Sequence, residues 1–90
     1  MNPQTLHVQN ISISTALVGV VTEQPAMSVI LKARNNTEFR VFESDDPTGV
    51  FFTVPTGQTL TLDLVTSITK PYCWIRTTSG TDTLEVISLH

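Results

Sequence analysis

Gly49 to Val65 reads GVFFTVPTGQTLTLDLV, two alternating runs on either side of Pro55-Thr56-Gly57. In the second run Leu60, Leu62 and Leu64 fall on one face and Thr59, Thr61 and Asp63 on the other. In the first, Val50, Phe52 and Val54 share a face, with Phe51 and Thr53 opposite. Period-two alternation of this kind predicts strands with one buried face. Proline favours the second position of a type I turn, and Gly57 supplies a left-handed residue, so the stretch predicts a short bulged hairpin. The hairpin is expected to sit at the centre of an antiparallel β domain.

Similar runs occur on both sides of it. Met27, Val29, Leu31 and Ala33 alternate with Ser28, Ile30, Lys32 and Arg34, predicting a strand with the first set inward. Asn35-Asn36-Thr37 then reads as a tight turn, because asparagine tolerates left-handed backbone. Glu38 to Ser44 is expected to be the hairpin partner, with Phe39 and Val41 inward and Arg40 and Phe42 outward. Ser44 to Gly49 is a loop. Upstream, Ile11 to Val21 is strand-like, with Gly19 a bend, and Thr22 to Pro25 is a turn. Downstream, Thr66 to Pro71 crosses over to a strand at Tyr72 to Thr78, with Cys73, Ile75 and Thr77 on one face and Tyr72, Trp74 and Arg76 on the other. After a turn at Ser79 to Asp82, Thr83 to Leu89 closes the domain with Leu84 and Val86 inward and Glu85, Ile87 and Leu89 outward. The fold class is therefore all-β: an antiparallel two-sheet sandwich, jelly-roll-like or Greek key, of seven to eight short strands. Residues 11–90 form that domain. Residues 1–10 carry Pro3 and lack alternation, and are expected to be an N-terminal arm.

Ninety residues fit one domain. Only 14% are charged, against a usual ~25%. Hydroxyls replace the missing charge: there are fifteen threonines and seven serines. Threonine is β-branched and suits a solvated strand face. The net charge of −3, with five cations, argues against nucleic-acid binding, which needs clustered cations to displace counterions. One cysteine, Cys73, rules out an internal disulfide framework and reads as a small buried residue. No secretory leader or membrane span is expected, which places the chain in a reducing compartment. Asn10-Ile11-Ser12 and Asn35-Asn36-Thr37 match the glycosylation triplet, by coincidence on that view.

Little points to catalysis. His7 falls in the expected arm and His90 is the last residue, so neither is a rigid base beside a nucleophile. The acids lie mostly in turns. Glu43-Ser44-Asp45-Asp46 could offer oxygen ligands to calcium, but lacks the spacing of a regular calcium loop. The chain is expected not to be an enzyme and to need no cofactor or metal. The departure from pattern is apolar residues on faces that should be wet: Phe42, Phe51, Trp74, Ile87 and Leu89, with Ile30. Large apolar patches mark contact surfaces, and aromatic anchors are common in them. Those first five are the candidate protein-interface residues. A second possibility is a glycan platform of Trp74 or Tyr72 beside Asp82.

The order STALVGVV, MSVILKARNNTEFRVFES, GVFFTVPTGQTLTLDL and YCWIRTTSGTDTLEVISL resembles small β-sandwich virion proteins of tailed bacteriophages. That pattern has a strand ending in an Asn-rich turn and then a short aromatic strand. A Pro/Ala-x-Gly turn before a Leu-x-Leu strand follows, and then a closing hairpin with Gly-Thr at its tip. Trp74, Cys73 and the Asp45-Asp46 loop depart from it. The resemblance implies a non-enzymatic virion structural protein, most simply a capsid decoration (cement) protein on the outer shell, made in the host cytoplasm. Its implied partners are the major capsid protein or another virion protein, and further copies of itself, as a trimer in preference to a dimer. The alternative it leaves open is a fibre or tail accessory domain that binds host glycan or another tail protein.

Overall fold

The computed structural model describes residues 6–21, 26–65 and 70–89, with side chains except those of 64 and 65. It contains eight strands: β1 (Leu6–Ile13), β2 (Val18–Val20), β3 (Ala26–Ala33), β4 (Phe39–Phe42), β5 (Phe51–Val54), β6 (Thr59–Val65), β7 (Cys73–Thr77) and β8 (Asp82–Leu89). They form two antiparallel four-stranded sheets, the first in the order β1-β8-β3-β6 and the second in the order β2-β7-β4-β5. The two-sheet, all-β sandwich expected from the alternation is present.

The registers show how the chain builds it. Leu6 pairs with Leu89, Val18 with Ile75, Ser28 with Asp63 and Phe42 with Phe51, partners whose numbers sum to 95, 93, 91 and 93. The chain is thus one long two-stranded ribbon with its tip at Glu43–Val50, bent so that successive segments fall in alternate sheets. Folding the ribbon on itself lays β8 beside β3 and β7 beside β4. This strand order is that of a jelly roll.

The bending overturns the expected hairpins. β5 and β6 flank Pro55-Thr56-Gly57 but lie in different sheets, and so do β3 and β4 around Asn35-Asn36-Thr37. Both turns are corners between sheets. Their backbone chemistry is nevertheless the expected kind: Gly57 has φ +79° and Asn36 has φ +62°. The Gln58 N–H donates to the Pro55 carbonyl at 3.0 Å, which puts proline first in the turn and Gly57 at the position that requires positive φ in a type II turn. The Gly57 N–H donates to the Asn36 carbonyl at 3.2 Å, tying the two corners together. A Cβ on Gly57 would meet nothing within 4 Å, so only backbone strain opposes a side chain there. Gly57→Val should therefore cost about 1–2 kcal/mol, read as a lower midpoint in thermal melts. The one sequential hairpin is β4–β5, around the loop at the ribbon tip.

Two further boundaries differ from expectation. The run from Ile11 to Val21 is split, β1 in the first sheet and β2 in the second, with a turn at Ser14 where the Ala16 N–H donates to the Ser14 Oγ at 3.3 Å. The arm expected over residues 1–10 is a strand from Leu6 onward, paired residue by residue with β8. Its polar side chains hid it, because an edge strand gains its place from backbone hydrogen bonds as much as from apolar burial. Residues 1–5, the turn at 22–25, and 66–69 of the crossover lie outside the described residues.

The core between the sheets holds Ile13, Val29, Leu31 and Ala33 with Leu84 and Val86 from the first sheet. They meet Val20, Phe39, Val41, Val54, Cys73 and Ile75 from the second. Leu60 and Leu62 pack against it, as their alternation predicts. Met27, expected inward, is exposed at the start of β3, while Ala26 is buried.

Candidate interaction surfaces

The outward face of the second sheet carries a row that crosses all four strands. Gly19 pairs with Trp74, Trp74 with Phe42, and Phe42 with Phe51. Gly19 makes room for the indole: a Cβ there would lie 3.2 Å from Trp74 Nε1 and 2.7 Å from Pro71 Cγ. One step along the strands is a second row, in which Arg40 pairs with both Arg76 and Thr53. The arginines fold back over the aromatics. The Arg40 guanidinium carbon is 4.6 Å from the Phe51 ring centre, and that of Arg76 is 5.2 Å from the Phe42 ring. The Phe42 and Phe51 rings are 5.1 Å apart.

This cover changes the standing of Phe42. It faces outward, as its phase predicts, yet it is only 1% exposed and lies outside the inter-sheet core cluster. Aromatic neighbours and the flat Arg76 head shield it, since guanidinium stacks readily on ring faces. Phe42 therefore supports the surface from beneath, and the wet part of the row is Phe51, 42% exposed, with half-buried Trp74. Val50 and Phe52 are exposed as well, but Phe52 pairs with Val41 and so lies on the inner side of β5, at the free edge where the sandwich opens. Phe52 and Val54 both point inward as expected, opposite Val41 and Phe39, but of Val50, Phe52 and Val54 only Val54 is covered.

The first sheet has its own outward patch. Ile87 lies between Val8 and Ile30, and Leu89 lies between Leu6 and Ser28. Ile30, Ile87 and Leu89 are half-buried, while Leu6 and Val8 are 64% and 53% exposed. Leu6 and Val8 were missed in the sequence because they were assigned to the arm; the signal was the alternation Leu6, Val8, Asn10 against His7, Gln9, Ile11. The five candidate interface residues thus divide: Phe42, Phe51 and Trp74 on the second sheet, Ile87 and Leu89 on the first.

The remaining chemistry-bearing groups are buried or held in structural hydrogen bonds, and of these the buried Tyr72 hydroxyl has no hydrogen-bond partner among the described residues. Burial pushes the Cys73 thiol up to about 12, so it stays protonated and unreactive. Burial also raises the Tyr72 hydroxyl. Tyr72 packs against the core, where the bend at Tyr72 itself takes it out of phase with Trp74. Asp82 sits at the opposite corner. Its carboxylate accepts from the Asn35 N–H at 3.2 Å, Asn35 Nδ2 at 3.0 Å, the Thr37 N–H at 3.3 Å and the Thr83 N–H at 2.7 Å. Tyr72 and Asp82 line different clefts, so the glycan platform of Trp74, Tyr72 and Asp82 is not assembled. His7 lies in β1, on the face that carries Ile11 and Ile13, and His90 lies outside the described residues. In the Glu43–Asp46 loop, Asp46 accepts from the Thr48 N–H at 2.9 Å and the Thr48 hydroxyl at 2.8 Å, an ordinary capped turn. Among the described residues no three His, Cys, Asp or Glu side chains are grouped to hold a metal ion.

The Asp82 cluster makes stability pH-dependent. Burial alone would raise this carboxyl, but the hydrogen bonds from Thr37, Thr83 and Asn35 outweigh it and hold the carboxyl below its ordinary value. Its ionised form is thus favoured by folding. The contribution is complete above the unfolded value of ~4 and fades as pH falls through the lower folded value. Asp82→Ala should cost about 2–3 kcal/mol at neutral pH, from unpaired donors at the corner. It should also flatten the acid limb of a melting-temperature profile; a limb unchanged in slope would show that another group drives it.

The sequence matches no protein-family model, and no curated protein or solved structure matches it. Jelly rolls host unrelated functions, so the functional reading rests on the surfaces.

Proposed function

We propose that this chain is a non-enzymatic virion structural protein, a capsid decoration protein that attaches to the outer shell and stabilises it. The virion setting comes from the resemblance of the turn and strand order to small phage β-sandwich proteins. The observation that supports an adhesive role is the patch of Leu6, Val8, Ile30, Ile87 and Leu89, brought together from three strands on the solvent side of the first sheet. An outward apolar patch of this kind adds nothing to the inter-sheet core; covered by a partner, it loses its contact with water and strengthens attachment. The partner would be the major capsid protein or another repeated virion surface. Repetition lets a modest single-site affinity hold many copies, because each site adds to the effective concentration of the rest.

The test is to add purified protein to capsids that lack it and measure co-sedimentation. Ile87→Asp on this patch should weaken attachment by roughly a hundredfold, given that buried interface anchors commonly contribute ~2–4 kcal/mol. The variant should keep the wild-type circular dichroism spectrum, since the side chain faces away from the core. Attachment unchanged by this substitution, or absent in wild type, would overturn the proposal.

A further inference from the structure

We infer that the free edge of β1 is a self-association site: β1 of a second copy pairs with it antiparallel about a twofold axis, joining the two first sheets into one sheet of eight strands. The pairing is independent of the attachment reading above; only the gain in attachment that follows from it rests on that reading.

β1 is eight residues long, about 27 Å, and pairs residue by residue with β8 along one side. Among the described residues no strand lies along its other side. Every second residue of an edge strand turns its N–H and C=O away from the sheet, and those groups are matched by water or by a further strand. Proteins guard such edges with shortness, proline, bulges or charge. Three of the four sheet edges among the described residues are guarded in this way. β2 has three residues, β5 has four and runs into Pro55, and β6 carries the exposed Asp63. β1 has none of these devices. Leu6–Ile13 contains no proline, glycine, Asp, Glu, Lys or Arg, and its register with β8 is unbroken.

The side chains favour the same edge. On the outward face Ile87 and Leu89 are half-buried, with β1 and β3 flanking them, whereas Leu6 and Val8 have a neighbour on one side only and are exposed. A strand outboard of β1 covers Leu6 and Val8 as β1 covers Ile87 and Leu89.

A second β1 fits this place because the pairing is self-complementary. Opposed residues in a sheet share a face, so the twofold axis stands perpendicular to the sheet and the even-numbered residues of one copy lie beside the even-numbered residues of the other. The two registers that use nearly the whole strand centre on Gln9 or on Asn10. They set Val8 against Asn10 or against Ser12 and bring no charged side chain of β1 against another. Pairing of β1 with β6 of a further copy would be heterologous, would build an open array, and would put Asp63 at every junction. The perpendicular axis also leaves both outward apolar patches on the same side of the dimer. Two patches then face one surface, and each raises the effective concentration of the other.

Sedimentation velocity and amide hydrogen exchange on the full chain provide the test. Wild type should pass from monomer to dimer with concentration and go no further. As the dimer forms, every second amide from Leu6 to Ile13 should exchange more slowly, while amides at the β5 and β6 edges keep their rates. The double variant Asn10→Lys/Ser12→Lys places guarding lysines on the exposed side of the edge, where Asn10 lies opposite Glu85 and Ser12 opposite Thr83. It should stay folded and weaken the dimer by roughly tenfold or more. Should it melt early, the exchange pattern of the wild type decides alone.

A wild type that stays monomeric, or assembles beyond a dimer, would overturn the inference. So would a dimer that slows no amide of β1, or one indifferent to the two lysines in a folded variant. Ile87→Asp separates this pairing from attachment, because it should still dimerise while losing its hold on capsids. A monomer that attaches to capsids would overturn the dimer and leave the attachment reading standing. A β1-paired dimer that attaches to nothing would do the reverse.

Discussion

Phe42→Ala should lower the stability of the domain by about 3–4 kcal/mol, the range for an enclosed phenylalanine, although its side chain points away from the core. The ring is 1% exposed, in register between Trp74 and Phe51 and roofed by the Arg76 head. Removing it leaves a hole beneath an arginine that cannot collapse into an apolar space without losing its own hydration. Phe51→Ser should cost only about 1 kcal/mol, since 42% of that residue is already in water. The contrast separates a supporting ring from an exposed one: the first variant should melt early, and the second should melt close to wild type. Equal melting temperatures for the two would mean that the aromatic row is not closed over in solution.

Removing residues 1–9 should destabilise the domain by about 2–4 kcal/mol, through lost backbone hydrogen bonds that each contribute a net ~0.5–1.5 kcal/mol. The deletion takes away Leu6, His7, Val8 and Gln9, four of the eight residues of β1 that pair with β8. Few apolar atoms leave the core, so the loss is mainly one of ladder and cover. It also turns the far half of β8, with Val86 and Ser88 on its inner face, into a free sheet edge. Free edges recruit other chains, so aggregation on warming should accompany the lower midpoint in urea. A truncated protein with the wild-type urea midpoint would mean that the first half of β1 adds nothing to the fold.

Alternation made the strand faces legible, because side-chain direction along a strand is a local property. Val29, Leu31, Phe39, Val41, Ile75, Leu84 and Val86 are buried where the period-two pattern puts them. Pairing was not legible. Pro55-Thr56-Gly57 and Asn35-Asn36-Thr37 supply the left-handed residues that reverse a chain, but the same residues serve a hairpin and a corner between sheets. Which of these forms depends on partners far away in sequence: β3 chooses β6 and β8, not its neighbour β4. The candidate surfaces divide the same way. Trp74 and Phe51 could be assigned to the outward face from phase alone. The shielding of Phe42 could not, since it depends on Arg76 crossing from the next strand. Tyr72 shows the limit of phase itself, because the bend beside Pro71 breaks the alternation just before β7 begins.

The ribbon register has a kinetic consequence. Closing β1 against β8 directly from an open chain would mean ordering nearly the whole sequence in one loop, at a high entropic cost. From the tip outward, the same closure proceeds in small steps. Once β4 and β5 meet around the Glu43–Val50 loop, the ends that lead into β3 and β6 are already near each other, then those of β2 and β7, and last β1 and β8. Folding is thereby expected to zip from the middle of the sequence toward its two ends. Destabilising changes at the tip, such as Asp46→Ala with its lost Thr48 contacts, should slow refolding. Changes in β1, such as Ile11→Val, should leave refolding untouched and speed unfolding instead. Stopped-flow chevrons of these two variants would distinguish a zipper from a collapse that begins everywhere at once.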